Sequence, residues 1–211
     1  MMRIESVSAQ PDRAGRYTVK FEDGSVMRLY RQTVEDFTLY AGKELDDASL
    51  SKLRTDAGKM SAKMRAVRIV SASNVSKADL EQRLVQKGEK KQDAHQAVAW
   101  MEDLNLLDDR KTAEQIVHRC ISKGYGLARA KQALYEKRIP KEYWEEVLVE
   151  YPDQTEKIIA FLQNRLGEQW DEKDLRRVTD ALFRRGYSYR EIRNAMEIFS
   201  QDVDFQEDMY G

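Results

Sequence analysis

The chemistry available to this chain gathers near its C-terminal end. Arg176, Arg177, Arg184, Arg185, Arg190 and Arg193 fall within eighteen residues, in and around "FRRGYSYREIR". Guanidinium groups pair bidentately with phosphate or carboxylate, and the neighbouring Tyr187 and Tyr189 offer rings to stack on an unpaired base or a partner side chain. The competing reading is that such cations only favour the negative ends of helix dipoles. Catalytic candidates are fewer. His95 and His118 are the only histidines. His118-x-Cys120 supplies two metal ligands where a structural zinc site needs four, and Cys120 falls on an apolar helical stripe. Asp108-Asp109 with Glu102 and Asp103 offers carboxylates to Mg²⁺, yet Asp108 or Asp109 stands where a helix N-cap belongs. Gly124-Tyr125-Gly126 lacks the strand and third glycine of a dinucleotide loop and reads as a helix terminus. There is no Walker A motif, so any effect on ATP turnover must act through another protein's site. No catalytic residue, metal ligand or cofactor is expected.

The totals are quieter than the cluster. The 211 residues are 41% hydrophobic and 35% charged, with three Pro and ten Gly. Dense charge with few breakers suits long helices with wet outer faces. The net charge is −1, and the acids Asp202, Asp204, Glu207 and Asp208 of the last eleven residues account for the difference between that and +3 for the rest. A basic surface must therefore be local. The tail reads as a solubilising disordered segment, or as one that competes with an anionic ligand. One cysteine allows no intrachain disulfide. The start "MMRIESVSAQ" has no apolar h-region and no stretch approaches a membrane span, so a cytoplasmic protein is expected.

The elements that must position these residues change character along the chain. "RYTVKFEDGSVMRLY" alternates apolar and polar residues around Asp23-Gly24, a hairpin signal, and "MRIESVSA" supplies a third strand. A helix is expected from about Val34 to a stop at Gly42, and Asp46 or Asp47 caps a second run through Leu50 and Leu53. Residues 1–60 thus read as a small α+β cap. Beyond it the periodicity is helical. Ser76-x-x-Asp79 and Ser188-x-x-Glu191 are capping boxes, and Pro140 suits the first turn of a helix carrying Trp144, Val147, Leu148 and Tyr151. Trp100, Trp144 and Trp170 read as core.

Three segments align without gaps. Leu84, Leu134 and Leu182 coincide at spacings of 50 and 48, as do Lys87, Lys137 and Arg185, and the pairs Ala97/Val98, Val147/Leu148 and Ala195/Met196. A period near 50 predicts stacked helical units. The expected architecture is mainly α: three tandem three-helix repeats at 61–107, 108–152 and 153–200, forming an elongated curved body, with the cap before and the acidic tail 201–211 after. Stacking would bring the junctions "QKGEKK", "EKRIPK" and "FRRGYSYREIR" to one edge. The candidate partner- and DNA-binding residues are then Lys87, Lys90 and Lys91, Lys131, Lys137, Arg138 and Lys141, and Arg184, Arg185, Tyr187, Arg190 and Arg193.

"LNLLDDRKTAEQIVHRCISKGYG", "ARAKQALYEKRIPKEYWEEVL" and "ALFRRGYSYREIRNAM" together resemble the RecX family of recombinase regulators. The matching features are Leu107-Asp108-Asp109, the pair Gly124/Gly126 and Arg184-Arg185-Gly186-Tyr187-Ser188, over about residues 60–200. The β segment is similar to an extension carried by members from Gram-positive bacteria. Two departures are visible: Arg138-Ile139-Pro140 has no glycine at its junction, and Thr112-Ala113 stands where the family often has an aromatic. The resemblance implies a non-enzymatic regulator in recombination, DNA repair and the SOS response, and a monomer is expected. Such a protein engages the RecA filament on single-stranded DNA and suppresses strand exchange and ATP hydrolysis. The alternative is a free-standing DNA binder with helix-turn-helix-like units, for which a stronger basic surplus and a dimer would be usual. An enzyme with an unrecognised site is a third class.

Overall fold

The computed structural model describes residues 1–166 and 170–210, of which 201–210 as backbone alone. The chain divides into two compact units, Met1–Asp108 and Asp109–Gly211.

In the first unit, alternation in the sequence becomes a sheet. Strands β1 (Met2–Val7), β2 (Arg16–Phe21), β3 (Val26–Tyr30) and β4 (Glu44–Leu45) lie in the order β3-β2-β1-β4, all antiparallel. Gly24 turns the β2–β3 hairpin with φ +81°, a backbone that costs glycine nothing. The fourth strand is an addition to the three expected. Helix α1 (Arg31–Asp36) is shorter than the run expected to reach Gly42. The intervening backbone turns at Thr38, where the ammonium of Lys43 binds the Phe37 and Thr38 carbonyls.

Helix α2 (Asp47–Ala72) then runs for 26 residues, capped by the Asp46 carboxylate on the Ser49 N–H. It crosses the expected cap boundary at residue 60 without interruption. Its first half buries Leu50 and Leu53 with Ile4, Val19, Phe21 and Leu29 of the sheet. Its second half buries Ala62 and Ala66 in another core, with α3 (Lys77–Gln86) and α4 (Lys91–Asp103). Alanines at 62, 66, 94 and 97 let these helices pack closely around Leu80, Leu84 and Met101.

The second unit holds two more helical triplets. The first is α5 (Asp109–Ser122), α6 (Leu127–Glu136) and α7 (Trp144–Leu148), around Ala113, Val117, Leu134 and Ile139. Pro140 leads into a 3₁₀ turn, Lys141–Tyr143, before α7, so the expected helix is much shorter than its apolar pattern. The second is α8 (Thr155–Arg165), α9 (Glu172–Arg184) and α10 (Tyr189–Tyr210), around Ile158, Leu162, Leu182 and Ile192. The segment read as a separate tail continues α10 as helix; its acidic side chains, and with them any competition for a basic surface, lie outside the described residues. Trp100 and Trp144 are half-buried, but Trp170 is exposed, contrary to its reading as core.

Candidate functional site

All three triplets end their middle helix the same way. Lys87, Lys137 and Arg185 are the C-cap residues of α3, α6 and α9. The next residue turns left-handed, at φ +91° for Gly88, +54° for Arg138 and +88° for Gly186. Its N–H donates to the carbonyl of Val85, Tyr135 or Phe183. The following N–H, of Glu89, Ile139 or Tyr187, reaches back to Leu84, Leu134 or Leu182. This double hydrogen bond is a Schellman closure. The three leucines aligned by sequence are thus fully buried anchors of three equivalent turns. The aligned cations sit where the helix dipole is negative. Glycine is the residue such a turn favours; a side chain there costs about 1 kcal/mol. The middle triplet accepts that cost at Arg138.

At the last junction the structure divides the arginine-tyrosine cluster. Tyr187 is 4% exposed, and its hydroxyl donates to the Gly124 carbonyl at 2.7 Å. Burial pushes the phenol up to about 12. It is therefore a bolt between two triplets rather than the exposed stacking ring expected. Arg185 lies with its guanidinium 4.6 Å from the Phe161 ring and 5.8 Å from that of Tyr125, and it points at the Lys123 and Gly124 carbonyls. The Gly126 N–H donates to the Arg185 carbonyl at 2.9 Å. Tyr151 donates to the Tyr125 carbonyl at 2.6 Å, and burial raises its phenol to about 12 as well. Tyr189, by contrast, is 68% exposed.

Of the remaining arginines, those of α9 separate onto two of its faces. Arg176 and Arg193 border an apolar groove of about 710 Å³ between α9 and α10, floored by Leu175, Ile192 and Met196. Arg193 is paired there with Glu197 at 2.8 Å. Arg177 and Arg184 line another hollow, with Phe161, Arg165 and Asp174, whose carboxylate pairs with Arg177 at 3.6 Å. Phe161 also borders a second hollow, with Lys123, Lys157 and Arg185, and among the described residues no carboxylate lines it. Lys123, Lys157 and Arg165 were invisible as site residues in the sequence because Lys123 is a single cation just past α5 and the other two stand eight residues apart on α8. Only the packing of the end of α5 against α8 gathers them; the Lys157 ammonium binds the Ile121 carbonyl.

The other candidates are exposed, apart from the half-buried Lys137. Lys87, Lys90 and Lys91 flank the turn in the first unit, where Glu89 folds back onto Arg65 and Ser61 of α2. Lys131 lies on the outer face of α6 and Arg190 on that of α10. Tyr135, Arg138, Lys141 and Trp144 line a hollow of about 470 Å³ at the α6–α7 junction, with Lys137 half-buried beside it. Of the histidine–cysteine pair, His118 is exposed and Cys120 buried, its thiol pushed up by burial. Asp108 stands immediately before the first residue of α5, the N-cap position. Among the described residues no group of three or more His, Cys, Asp or Glu is placed to hold a metal, and no described helix is long and apolar enough to cross a membrane.

The family model of the second three-helix domain of RecX matches residues 108–148, the span of α5–α7. The regulatory protein RecX of Trichlorobacter lovleyi is 30% identical over 142 residues, which cover 64% of this chain and 92% of that protein. The chain belongs to the RecX family. The RecX of Vibrio parahaemolyticus is 27% identical over 152 residues, covering 71% of this chain and 98% of its own. That of Clostridioides difficile is 23% identical over 200 residues, covering 92% of each chain. A crystal structure of a regulatory protein RecX superposes with a TM-score of 0.61 at 19% identity, over 95% of this chain and all of that one. That of RecX from Lactobacillus salivarius gives 0.58 at 21%, over 68% and 97%. These two show that the fold is shared.

Proposed function

We propose that this RecX-family protein binds RecA filaments on single-stranded DNA and modulates them, mainly by inhibiting strand exchange and ATP hydrolysis, without catalysis of its own. The observation that carries the reading is the set of cation-lined hollows on either side of Phe161. Lys123, Lys157 and Arg185 face one, and Arg165, Arg177 and Arg184 the other, where Asp174 offsets Arg177 and leaves a basic excess. Such a surface suits a phosphate backbone or an acidic protein face, and the balanced total charge suits a partner that is partly protein. The junction cations Lys87, Lys90, Lys91, Lys137, Lys141, Arg190 and Arg193 are further candidate contacts.

The test is RecA-catalysed ATP hydrolysis on single-stranded DNA, titrated with this protein. Turnover should fall as the protein saturates the filament. Unchanged turnover at saturation defeats the proposal. Sequence-specific binding to duplex DNA without RecA would instead favour the free-standing DNA binder.

A further inference from the structure

Arg138 stands out among the residues with left-handed backbone. Among the described residues three non-glycines have positive φ: Thr38, Asn105 and Arg138. Asparagine tolerates that region through its short polar side chain, and Thr38 is held by Lys43 on its own carbonyl. Arg138 is long and cationic, in a turn whose two counterparts, Gly88 and Gly186, are glycine. Strain kept at one of three equivalent turns points to a use for the side chain. Its surroundings are of one kind. Tyr135 is 72% exposed and shares the hollow with Arg138, Lys141 and Trp144. The indole is oriented by its Nε1–H on the Ile139 carbonyl at 3.0 Å. Glu136, the acid among the described lining residues, is bonded to Arg129 at 3.2 Å and Gln132 at 3.1 Å.

We propose that this hollow holds an unpaired nucleotide of a single strand. The base stacks on Tyr135, and the adjoining phosphates are bound by Arg138 and Lys141. An exposed ring next to two cations matches the stacking platforms of single-strand binders, whereas a simple anion site has no use for the ring. The site deepens the single-strand reading above and rests on it. DNA and RNA present the same chemistry to it.

The experiment measures binding of the full chain, without RecA, to labelled oligodeoxythymidylate and oligouridylate of roughly 12 nucleotides. A duplex of equal length and polyglutamate serve as further probes. Arg138→Gly should weaken single-strand binding about tenfold. It should also lower the salt dependence by about 0.7 in log–log slope. Because glycine suits the turn, its melting temperature should equal or exceed that of the parent; a structural role alone would leave binding unchanged. Tyr135→Ala should weaken binding at least about fivefold. The tighter of the two oligonucleotides identifies the natural strand. The proposal is overturned if both variants bind like the parent, if duplex binds as tightly as single strand, or if Arg138→Gly affects oligonucleotide and polyglutamate alike while Tyr135→Ala changes nothing. Failure of the regulator reading shows separately, in RecA turnover that the parent protein does not alter.

Discussion

Gly126 and Gly186 meet backbone to backbone. A Cβ on Gly126 would stand 2.2 Å from the Gly186 oxygen, and one on Gly186 would stand 2.3 Å from the Arg129 nitrogen. The α5–α6 junction of one triplet is thereby seated on the α9–α10 junction of the next, with the Ala128 N–H bonded to the Gly186 carbonyl at 3.2 Å. Neither position can take a side chain without moving main chain, so both glycines serve packing, and Gly186 its turn besides.

Alanine at either glycine should therefore loosen the second unit. Overpacking costs about 1–3 kcal/mol, and Gly186→Ala adds the left-handed penalty of about 1 kcal/mol. Urea unfolding should show both variants destabilised, Gly186→Ala more. Gly15→Ala makes the control: an added Cβ meets nothing within 4 Å, and φ +78° leaves only the turn penalty.

Alkaline pH should weaken the same seam. The Tyr187 and Tyr151 phenols are raised from 10 to about 12, chiefly by burial. The folded state then keeps protons that the unfolded chain releases. The resulting stability is complete below pH ~10 and is lost as pH rises toward ~12. Unfolding free energy measured from pH 9 to 12 should fall, and fall less steeply in Tyr187→Phe. At neutral pH that variant should cost about 1 kcal/mol, because the Gly124 carbonyl loses its best donor.

The adjacent arginines should behave oppositely. Arg185 is stacked on Phe161 and lies over Tyr125, so Arg185→Ala should destabilise by about 1 kcal/mol. Arg184 is exposed, and Arg184→Ala should leave the thermal midpoint in place while weakening filament binding. Equal effects on stability would erase the distinction drawn between them.

Cations proposed to meet phosphate should report in salt. Lys123→Ala, and Arg190→Ala with Arg193→Ala, should each flatten the dependence of filament affinity on salt by about 1 in log–log slope per lost phosphate contact. An unaltered slope would return that residue to solvent.

Much of this was legible in the residues because it is local. Asp23-Gly24 makes its hairpin. Ser188 and Glu191 close their box reciprocally, at 3.3 Å from the Glu191 N–H to the Ser188 oxygen and 2.7 Å from the Ser188 N–H to the Glu191 carboxylate. The leucine register marks three turns that share one hydrogen-bond pattern. What escaped depends on neighbours distant in sequence. Tyr187 reads as an available ring until Gly124 covers it, and Arg176 and Arg177 read as one cluster until packing assigns adjacent residues of α9 to different grooves. Lys123, Lys157 and Arg165 have no pattern in sequence. Arg138 is the reverse case: its departure from glycine was plain, and the left-handed turn gives it meaning.

Helix α2 has a bearing on how the N-terminal half can be dissected. At about 1.5 Å per residue it is a shaft of about 39 Å, embedded at one end in the sheet and at the other among α3 and α4. A shaft shared in this way ties the two bodies it joins into a single melting event. Pruning the chain at residue 60 would not peel off an ornament; it would saw through the beam on which the first helical triplet is built.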